Sequence, residues 1–270
     1  MSMQNKVVII TGATSGIGRG CAEVFGREGA KIVFTGRDEK KMEEVNASLS
    51  CLGIEHTGYL MDVSNERENR RLVENIIQRY GRIDVVINNA GISMRALLED
   101  LDMAVFRKIM EINFFGTVYL TKYALPYILE SKGTIVGVSS INGHRGTPAR
   151  TAYTASKYAM EGFFEALRTE VMKRGVHVLV VSPGFTGTNI RNAALNAKGE
   201  SQGESPRDEN KMMTPEEVAK RILKGIRGRK RDIVLTTQGK LVVFLNKWIP
   251  GLMDKIVYYH MAKEKDSPFK

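Results

Sequence analysis

The segment Thr11-Gly12-Ala13-Thr14-Ser15-Gly16-Ile17-Gly18 follows the apolar run Val7–Ile10 and opens a helical stretch. Its three glycines let the backbone turn sharply and approach an anion closely. The N-terminus of the helix adds unpaired N–H groups and a dipole that favours negative charge. The alternative is a glycine-rich turn without a ligand. The segment lies in the first strand–helix unit of an alternating chain, and this position favours a phosphate-binding turn.

The rest of the chain alternates between short β-branched runs and longer helical stretches. Further strands are predicted at 31–35, 56–61, 83–87, 134–138 and 176–181, and helices at 16–28, 38–52, 65–80, 102–129 and 151–174. Strands that alternate with helices of this length predict a parallel sheet with helices on both faces. The strands are almost continuously apolar, which is typical of burial on both sides.

The regular alternation of strands and helices ends after the sixth strand. The stretch 183–213 is polar and glycine-containing, and a loop of this length in a compact domain is usually functional. We expect a mobile substrate loop at about 188–213. Thr214-Pro215-Glu216-Glu217 then predicts a capped helix to about Arg227, and 232–235 predicts a last strand. The predicted organisation is one domain over 1–240 with a basic, amphipathic C-terminal extension over 241–270.

Composition and charge exclude several protein classes. The chain has 270 residues, 43% hydrophobic and 26% charged, which excludes disordered and fibrous chains. Two cysteines without a CxxC pair cannot form a disulfide framework. Four scattered histidines lack ligand spacing, so no metal site is expected. Met1 to Lys6 is short and polar, so we expect no signal peptide and a cytoplasmic protein.

The net charge of +10 is concentrated near the C-terminus. Residues 211–270 contain 14 Lys and Arg against 6 Asp and Glu, so the first 210 residues are nearly balanced. This region contains no recognisable nucleic-acid motif, and nucleic-acid binding is therefore not expected. A local basic surface indicates instead a membrane, an acidic partner or an anionic substrate.

An ordered set of motifs resembles the short-chain dehydrogenase/reductase family. The set comprises Thr-Gly-x-x-x-Gly-Ile-Gly at 11–18, Asp62, Asn88-Asn89-Ala90-Gly91, Asn113, Ser140, Tyr153-x-x-x-Lys157, Pro183-Gly184 and Thr188. Each motif is weak alone, whereas their common order over roughly 5–236 is specific. The resemblance implies a single-domain α/β Rossmann fold, with a doubly wound, seven-stranded parallel sheet and helices on both faces.

The end of the second strand bears on the choice of nicotinamide cofactor. In dinucleotide folds an acid there hydrogen-bonds the ribose 2′-OH, but this chain has Thr35-Gly36 followed by Arg37. A guanidinium matches a 2′-phosphate in charge and geometry, so NADP (NADPH) is expected rather than NAD. A solvated surface role beside Asp38 is the alternative for Arg37. Asp62 and Val63 resemble the adenine-contacting pair, although Asp62 also suits the turn before the next helix.

The family's remaining cofactor contacts transfer by motif position. The complete set expected to bind the cofactor is Gly12, Thr14, Ser15, Gly16, Ile17, Gly18, Arg37, Asp62, Val63, Asn89, Ala90, Gly91, Tyr153, Lys157, Pro183, Gly184, Thr186 and Thr188. Within it, the segment 183–188 resembles the one that holds the nicotinamide carboxamide.

Tyr153 and Lys157 stand four residues apart on a predicted helix and therefore share a face. A nearby ammonium, together with a positively charged nicotinamide, would lower the phenol pKa towards neutrality. Ser140 ends the fifth strand, at the edge where such sheets bind ligands; Ser139 competes, and the family spacing selects Ser140. The resemblance implies that Tyr153 donates a proton, Ser140 binds the substrate oxygen, Lys157 binds ribose and Asn113 supports a proton relay.

The leading functional hypothesis is an NADP-dependent oxidoreductase that transfers hydride between the nicotinamide and a ketone or secondary alcohol. The alternatives are a 3-oxoacyl-acyl-carrier-protein reductase and, from another class, a non-catalytic dinucleotide-binding regulatory protein. The long C-terminal extension resembles that of hydroxysteroid and lipid ketone reductases, which implies a bulky apolar substrate. The family's dimer helices correspond to 102–129 and 151–174, so a homodimer or homotetramer is expected.

The segment 241–260 repeats apolar pairs every four residues, with Pro250-Gly251 in the middle. This spacing predicts an amphipathic helix broken near Pro250. Lys247, Asp254 and Lys255 argue against a membrane span. The segment is therefore expected to cover the substrate pocket or a partner subunit, or alternatively to lie on the surface of an anionic membrane.

Overall fold

A computed structural model describes residues 2–203, 212–264 and 267–269. Within these ranges there are seven strands, all paired in parallel. They are β1 (Val7–Ile10), β2 (Lys31–Gly36), β3 (His56–Leu60), β4 (Val85–Asn88), β5 (Thr134–Val138), β6 (His177–Ser182) and β7 (Asp232–Val234). The predicted seven-stranded parallel sheet is confirmed.

The order of the strands across the sheet is β3-β2-β1-β4-β5-β6-β7. The chain winds outward from β1 in one direction and then from β4 in the other. The carboxyl ends of β1 and β4 therefore flank the point where the winding reverses, which is where open α/β sheets bind ligands. This topology brings the first glycine-rich turn beside the Asn88–Gly91 segment.

Helices cover both faces of the sheet. They are α1 (Gly16–Arg27), α2 (Glu39–Cys51), α3 (Glu66–Tyr80), α4 (Met103–Met110), α5 (Gly116–Ser131), α6 (Thr151–Val171), α7 (Pro215–Arg227), α8 (Thr237–Trp248) and α9 (Pro250–Ala262). The helices α1, α2 and α7 contribute to the core on one face, and α3, α5 and α6 to the core on the other.

The period-two geometry of the strands divides the core into these two layers. In β1, Val8 and Ile10 pack with α1 and α7, whereas Val7 and Ile9 pack with α3 and α5. All four side chains are at most 1% exposed. Burial of one such side chain contributes about 1.5–3 kcal/mol, so the doubly covered strands form a rigid base for the residues at their carboxyl ends.

The stretch 102–129, expected as one helix, is divided by a π-helical segment, Glu111–Phe115, between α4 and α5. The segment 241–260 is also divided near Pro250, as the sequence predicted, into α8 and α9. Residues 188–203 of the expected substrate loop form turns and bridges, including Leu195 to Met94. The remaining loop residues 204–211 lie outside the described residues. Among the described helices, none is both long enough and apolar enough to cross a membrane.

Candidate active site

At two points the glycine-rich turn adopts the left-handed backbone conformation that favours glycine. Gly12 and Gly16 have φ of +62° and +54°. A Cβ on Gly12 would lie 2.9 Å from Ala90 Cα, and one on Gly18 would lie 2.5 Å from the carbonyl oxygen of Gly12. The absent side chains therefore let the turn pack closely on itself and on the segment after β4, as the tight turn and helix packing of a dinucleotide-binding loop require.

The turn is anchored to the segment after β4. Asn89 Nδ2 donates to the carbonyl oxygens of Thr11 at 2.9 Å and of Gly12 at 3.2 Å. The backbone N–H groups of Asn89 and Ala90 donate to Thr11 Oγ1, both at 3.0 Å. These bonds give Asn89 a positioning role beside the cavity. At the start of α1, the N-cap Ser15 makes no side-chain cap and the first turn has no acid, so this end suits an anion.

Arg37 directly follows β2, next to the position where many dinucleotide folds carry an acid. Arg37, Asp38 and Lys41 line the same end of the cavity, and Thr14 packs over Gly36. Arg37 Nη1 lies 3.7 Å from Asp62 Oδ2, and both side chains are about half exposed, so the pair contributes at most about 1 kcal/mol. This weak pair leaves the guanidinium available to a phosphate.

Asp62 performs the turn role that the sequence left open. Its Oδ1 accepts from Ser64 N at 2.9 Å and from Ser64 Oγ at 2.7 Å. Burial opposes ionisation, but the Ser64 bonds and Arg37 hold the pKa of Asp62 below its usual value. Its neighbours Met61 and Val63 line the cavity.

The structure brings Ser140, Tyr153 and Lys157 together at the carboxyl end of β5. The Ser140 hydroxyl lies close enough to the Tyr153 phenol to lower its pKa, and Lys157 Nζ lies 5.8 Å from the Tyr153 ring centre. Ser140 Oγ also accepts from Asn142 N at 3.1 Å, which fixes its position at the start of a short 3₁₀ turn. Ser140, rather than Ser139, contacts the phenol.

Burial sets the pKa values of this pair. It lowers the pKa of Lys157 from 10.5 to about 8, against the opposing effect of Glu161. Burial raises the pKa of Tyr153, and Ser140, Arg150 and Arg191 only partly offset it. Desolvation dominates, and Lys157 Nζ donates to Val138 O at 2.9 Å. The lowering expected from the ammonium together with a positively charged nicotinamide stays a prediction.

Asn113 lies in the π-helical segment, a deviation that occurs often at functional sites. Its Oδ1 accepts from Ile92 N at 2.8 Å, and its Nδ2 donates to Ile92 O and Ser156 Oγ, both at 3.0 Å. A Cβ on Gly91 would be 3.2 Å from Asn113 Oδ1 and 3.6 Å from Lys157 Nζ. Asn113 and Lys157 thus approach the same glycine.

The segment after β6 closes the cavity opposite the glycine turn. Pro183 O accepts from Ile141 N at 3.2 Å, which ties this segment to the 3₁₀ turn after Ser140. Thr188 approaches Gly16, where a Cβ would lie 3.1 Å from Thr188 Cγ2. Gly184, Thr186 and Thr188 line the cavity, so the segment meets the predicted nicotinamide end.

Most of these groups line one cavity of about 640 Å³, whereas Gly18, Asp62 and Asn113 are not among its lining residues. The residues expected to bind cofactor that line it directly are Gly12, Thr14, Ser15, Gly16, Ile17, Arg37, Val63, Asn89, Ala90, Gly91, Tyr153, Lys157, Pro183, Gly184, Thr186 and Thr188. The volume and the narrow glycine turn fit an extended dinucleotide with space for a second molecule. Within the described residues, no cluster of metal-ligating side chains accompanies it.

Sequence reasoning expected the 241–260 segment to cover the substrate pocket but did not single out the two arginines at that end. Arg145 and Arg150 line the cavity, as do Val242 from α8 and Met253 and Val257 from α9. These side chains come from distant parts of the chain and have no common spacing, so no sequence signal connects them.

Buried ion pairs join the C-terminal segment to this end of the cavity. Glu264 Oε2 lies 3.7 Å from Arg95 Nη2 and 3.8 Å from Arg150 Nη2. Glu264 is only 7% exposed, so these contacts are shielded from solvent. The segment after α9 is thereby fixed against the same wall that holds Arg150.

The comparisons with known proteins agree with this geometry. "Dehydrogenase/reductase SDR family member 7B" of Mus musculus is 39% identical over 98% of this chain and 84% of its own length. "Dehydrogenase/reductase SDR family protein 7-like" of Drosophila melanogaster is 35% identical over 97% of this chain and 81% of its own.

Solved structures share the fold. A short-chain dehydrogenase from Streptomyces avermitilis superimposes with a TM-score of 0.80 at 26% identity, covering 96% of this chain and 97% of that one. A short-chain dehydrogenase/reductase from Burkholderia phymatum, solved with NAD, gives a TM-score of 0.83 at 24% identity over 93% and 96%. The sequence model "short chain dehydrogenase" matches residues 6–199. The chain therefore belongs to the short-chain dehydrogenase/reductase family.

Proposed function

We propose that this protein is an NADP-dependent oxidoreductase that transfers hydride between the nicotinamide and a ketone or the corresponding secondary alcohol. The observation that carries the proposal is that Ser140, Tyr153 and the buried Lys157 line the same cavity as the glycine turn, with Ser140 beside the phenol. The non-catalytic alternative has no support from this arrangement, because a regulatory site would not need a buried lysine beside a tyrosine.

The bound nicotinamide supplies the hydride, and the protein side chains manage the oxygen of the substrate. Tyr153 donates its phenolic proton to that oxygen during reduction, while Ser140 donates a hydrogen bond to it. Lys157, when protonated, stabilises the phenolate that remains. Asn113 holds the backbone of Ile92 and thereby positions the wall next to Gly91 and Lys157. Proton resupply through Asn113 is part of this proposal.

The preference for NADP rests on the charges at the end of the cavity. Arg37 and Lys41 line this end, and Thr35 and Gly36 occupy the position of the usual acid. A 2′-phosphate would gain charge-assisted hydrogen bonds from Arg37. An alcohol dehydrogenase from Thermococcus sibiricus with the same fold was solved with 5-hydroxy-NADP, with a TM-score of 0.76 at 22% identity over 86% of this chain and 96% of that one.

The substrate end combines two kinds of surface, which supports a bulky, lipid-like ketone. Val242, Met253 and Val257 offer an apolar wall, and Arg145 and Arg150 line the same end of the cavity while pairing with Asp254 and Glu264 behind it. Among the described lining residues, Asp38 is the one acid, and it lies at the cofactor end near Arg37. We therefore infer that the ketone carries an apolar chain and an anionic group.

The test is NADPH oxidation, followed at its absorbance band, against a panel of ketones. The panel pairs apolar chains with and without a phosphate or carboxylate, and includes steroid ketones and a 3-oxoacyl thioester. Turnover is expected for the anionic, long-chain ketones. Absence of turnover with every ketone, despite NADPH binding, would overturn the proposal, and preference for the thioester would favour the acyl-carrier alternative.

A further inference from the structure

The two C-terminal helices expose an apolar surface, here called the tail face. Its members are Leu241, Phe244, Trp248, Leu252, Ile256 and Tyr259. Trp248 is 69% exposed, Tyr259 66% and Phe244 61%, although aromatic side chains are normally covered. Contiguous apolar surfaces of this kind on a protein mark an interaction site.

The tail face is distinct from the side of the helices that packs inward. In α9, Met253, Val257 and Met261 are buried and pack with Val242 and Leu245 of α8. In α8 the exposed residues recur at 241, 244 and 248, and in α9 at 252, 256 and 259, which is helical spacing. The outward side chains are therefore not needed to hold the two helices together.

Lysines accompany the exposed aromatic residues. Lys240, Lys247, Lys255 and Lys263 are all exposed, and from 240 to 263 the sequence contains one acid, Asp254. Asp254 Oδ1 accepts from Arg145 Nη2 at 2.7 Å, so its charge is paired with the body of the protein. The charge presented beside the tail face is therefore positive.

We propose that the tail face binds the surface of an anionic lipid bilayer, with α8 and α9 lying in its plane. Trp and Tyr are suited to this boundary because their rings are apolar and their polar atoms reach water. Lysines beside them attract anionic headgroups, each contributing about 1 kcal/mol near the surface. A twofold contact between two copies would instead bring these lysines close to one another, which is unfavourable.

The active-site cavity reaches this surface. Ile256 belongs to the tail face, at 46% exposure, and also lines the cavity. Phe185, which is 40% exposed, lines the cavity as well. A bilayer under the tail face would therefore adjoin an opening of the cavity. Membrane binding itself does not depend on the proposed reaction, and the two can fail separately.

Trp248 is the single tryptophan of the chain, so its fluorescence reports on the tail face alone. The full-length protein is mixed with vesicles of phosphatidylcholine, with and without phosphatidylserine, and examined by flotation and tryptophan emission. We expect flotation and a blue shift of emission with the phosphatidylserine vesicles. Brominated lipid should quench this emission.

Two tail-face variants and two matched controls distinguish binding through the tail face from non-specific adsorption to vesicles. Phe244→Ser with Tyr259→Ser should weaken partitioning by about tenfold or more, because both side chains leave the bilayer. Lys247→Glu should weaken it by about tenfold through charge reversal. The matched controls, Met172→Ser and Lys173→Glu, alter exposed residues directly after the C-terminal end of α6 and should leave partitioning unchanged.

Three results would overturn the proposal. The first is an unchanged Trp248 emission with anionic vesicles. The second is equal weakening by the Met172 and Lys173 controls. The third is a blue shift that appears without vesicles as protein concentration rises, together with a larger species in light scattering, because that assigns the tail face to a second copy of this chain.

Discussion

Replacement of Lys157 by methionine should abolish reduction while changing the pH dependence of folding in a calculable way. Lys157 is buried, and its pKa is lowered from 10.5 to about 8. The folded chain therefore releases this proton at lower pH than the unfolded chain does. Stability is reduced below pH 8 and recovers as pH rises through the interval between the two pKa values, because there the unfolded chain binds more protons.

The magnitude follows from those two values. Between pH 7 and pH 10, wild type should gain about 2.5 kcal/mol in free energy of unfolding relative to Lys157→Met. The variant also loses the 2.9 Å hydrogen bond to Val138 O, worth about 1 kcal/mol, but this loss is independent of pH and cancels in the comparison. The pH-dependent contributions of titratable groups that both proteins share also cancel in the difference between wild type and variant.

The assay is urea unfolding of both proteins without cofactor, at intervals from pH 7 to pH 10, with activity measured in parallel. Lys122→Met, an exposed lysine on α5, is the matched control and should show no such trend. A wild-type minus variant difference that stays constant with pH would refute the reasoning, since Lys157 would then titrate alike in both states.

Three further outcomes are expected. Tyr153→Phe should retain NADPH affinity and lose turnover by about 100-fold or more, whereas Tyr158→Phe, exposed on the same helix, should remain active; an active Tyr153→Phe would remove the assigned proton donor. Arg37→Asp should weaken NADPH binding by about 10- to 100-fold in calorimetry and leave NADH binding unchanged. The control variant Lys40→Asp should bind both cofactors as wild type does. Equal wild-type affinity for NADPH and NADH would contradict the assignment of NADP as the cofactor. Light scattering should give about two or four times the 30.1 kDa chain mass, with an interface at α5 and α6 near the partly exposed Phe115 and Tyr158. A monomer at micromolar concentration would exclude such an oligomer.

The sequence alone determined the sheet and the position of the glycine turn. Apolar strands separated by helices have few ways to bury both faces, and right-handed crossovers restrict the order further. The glycines at 12 and 18 also fit one geometry, because a Cβ at either would meet backbone within 3 Å. The spacing of Tyr153 and Lys157 placed them on one face of α6 because helix geometry is local.

The tertiary structure decided the electrostatics of the site. The sequence predicted a lower Tyr153 pKa from Lys157 together with a positively charged nicotinamide, and it did not anticipate that burial raises the pKa of Tyr153 and lowers that of the lysine. Desolvation of Tyr153 and Lys157 depends on every group around them, including the backbone of β5 and the helix α6 on which both lie. The spacing of two residues in a sequence contains no information on how much water these groups exclude.

The wall of the substrate cavity also came from the tertiary structure. Arg145 precedes Val242 and Met253 by more than ninety residues in the sequence, yet all three line one end of the cavity. The helical repeat of 241–260 indicated an amphipathic segment, but either side of such a helix can face inward. Packing of Met253 and Val257 against α8 settled that question, and the same packing left Trp248 and Tyr259 exposed. Local periodicity determines that an apolar stripe exists, whereas only the folded chain determines what each stripe meets.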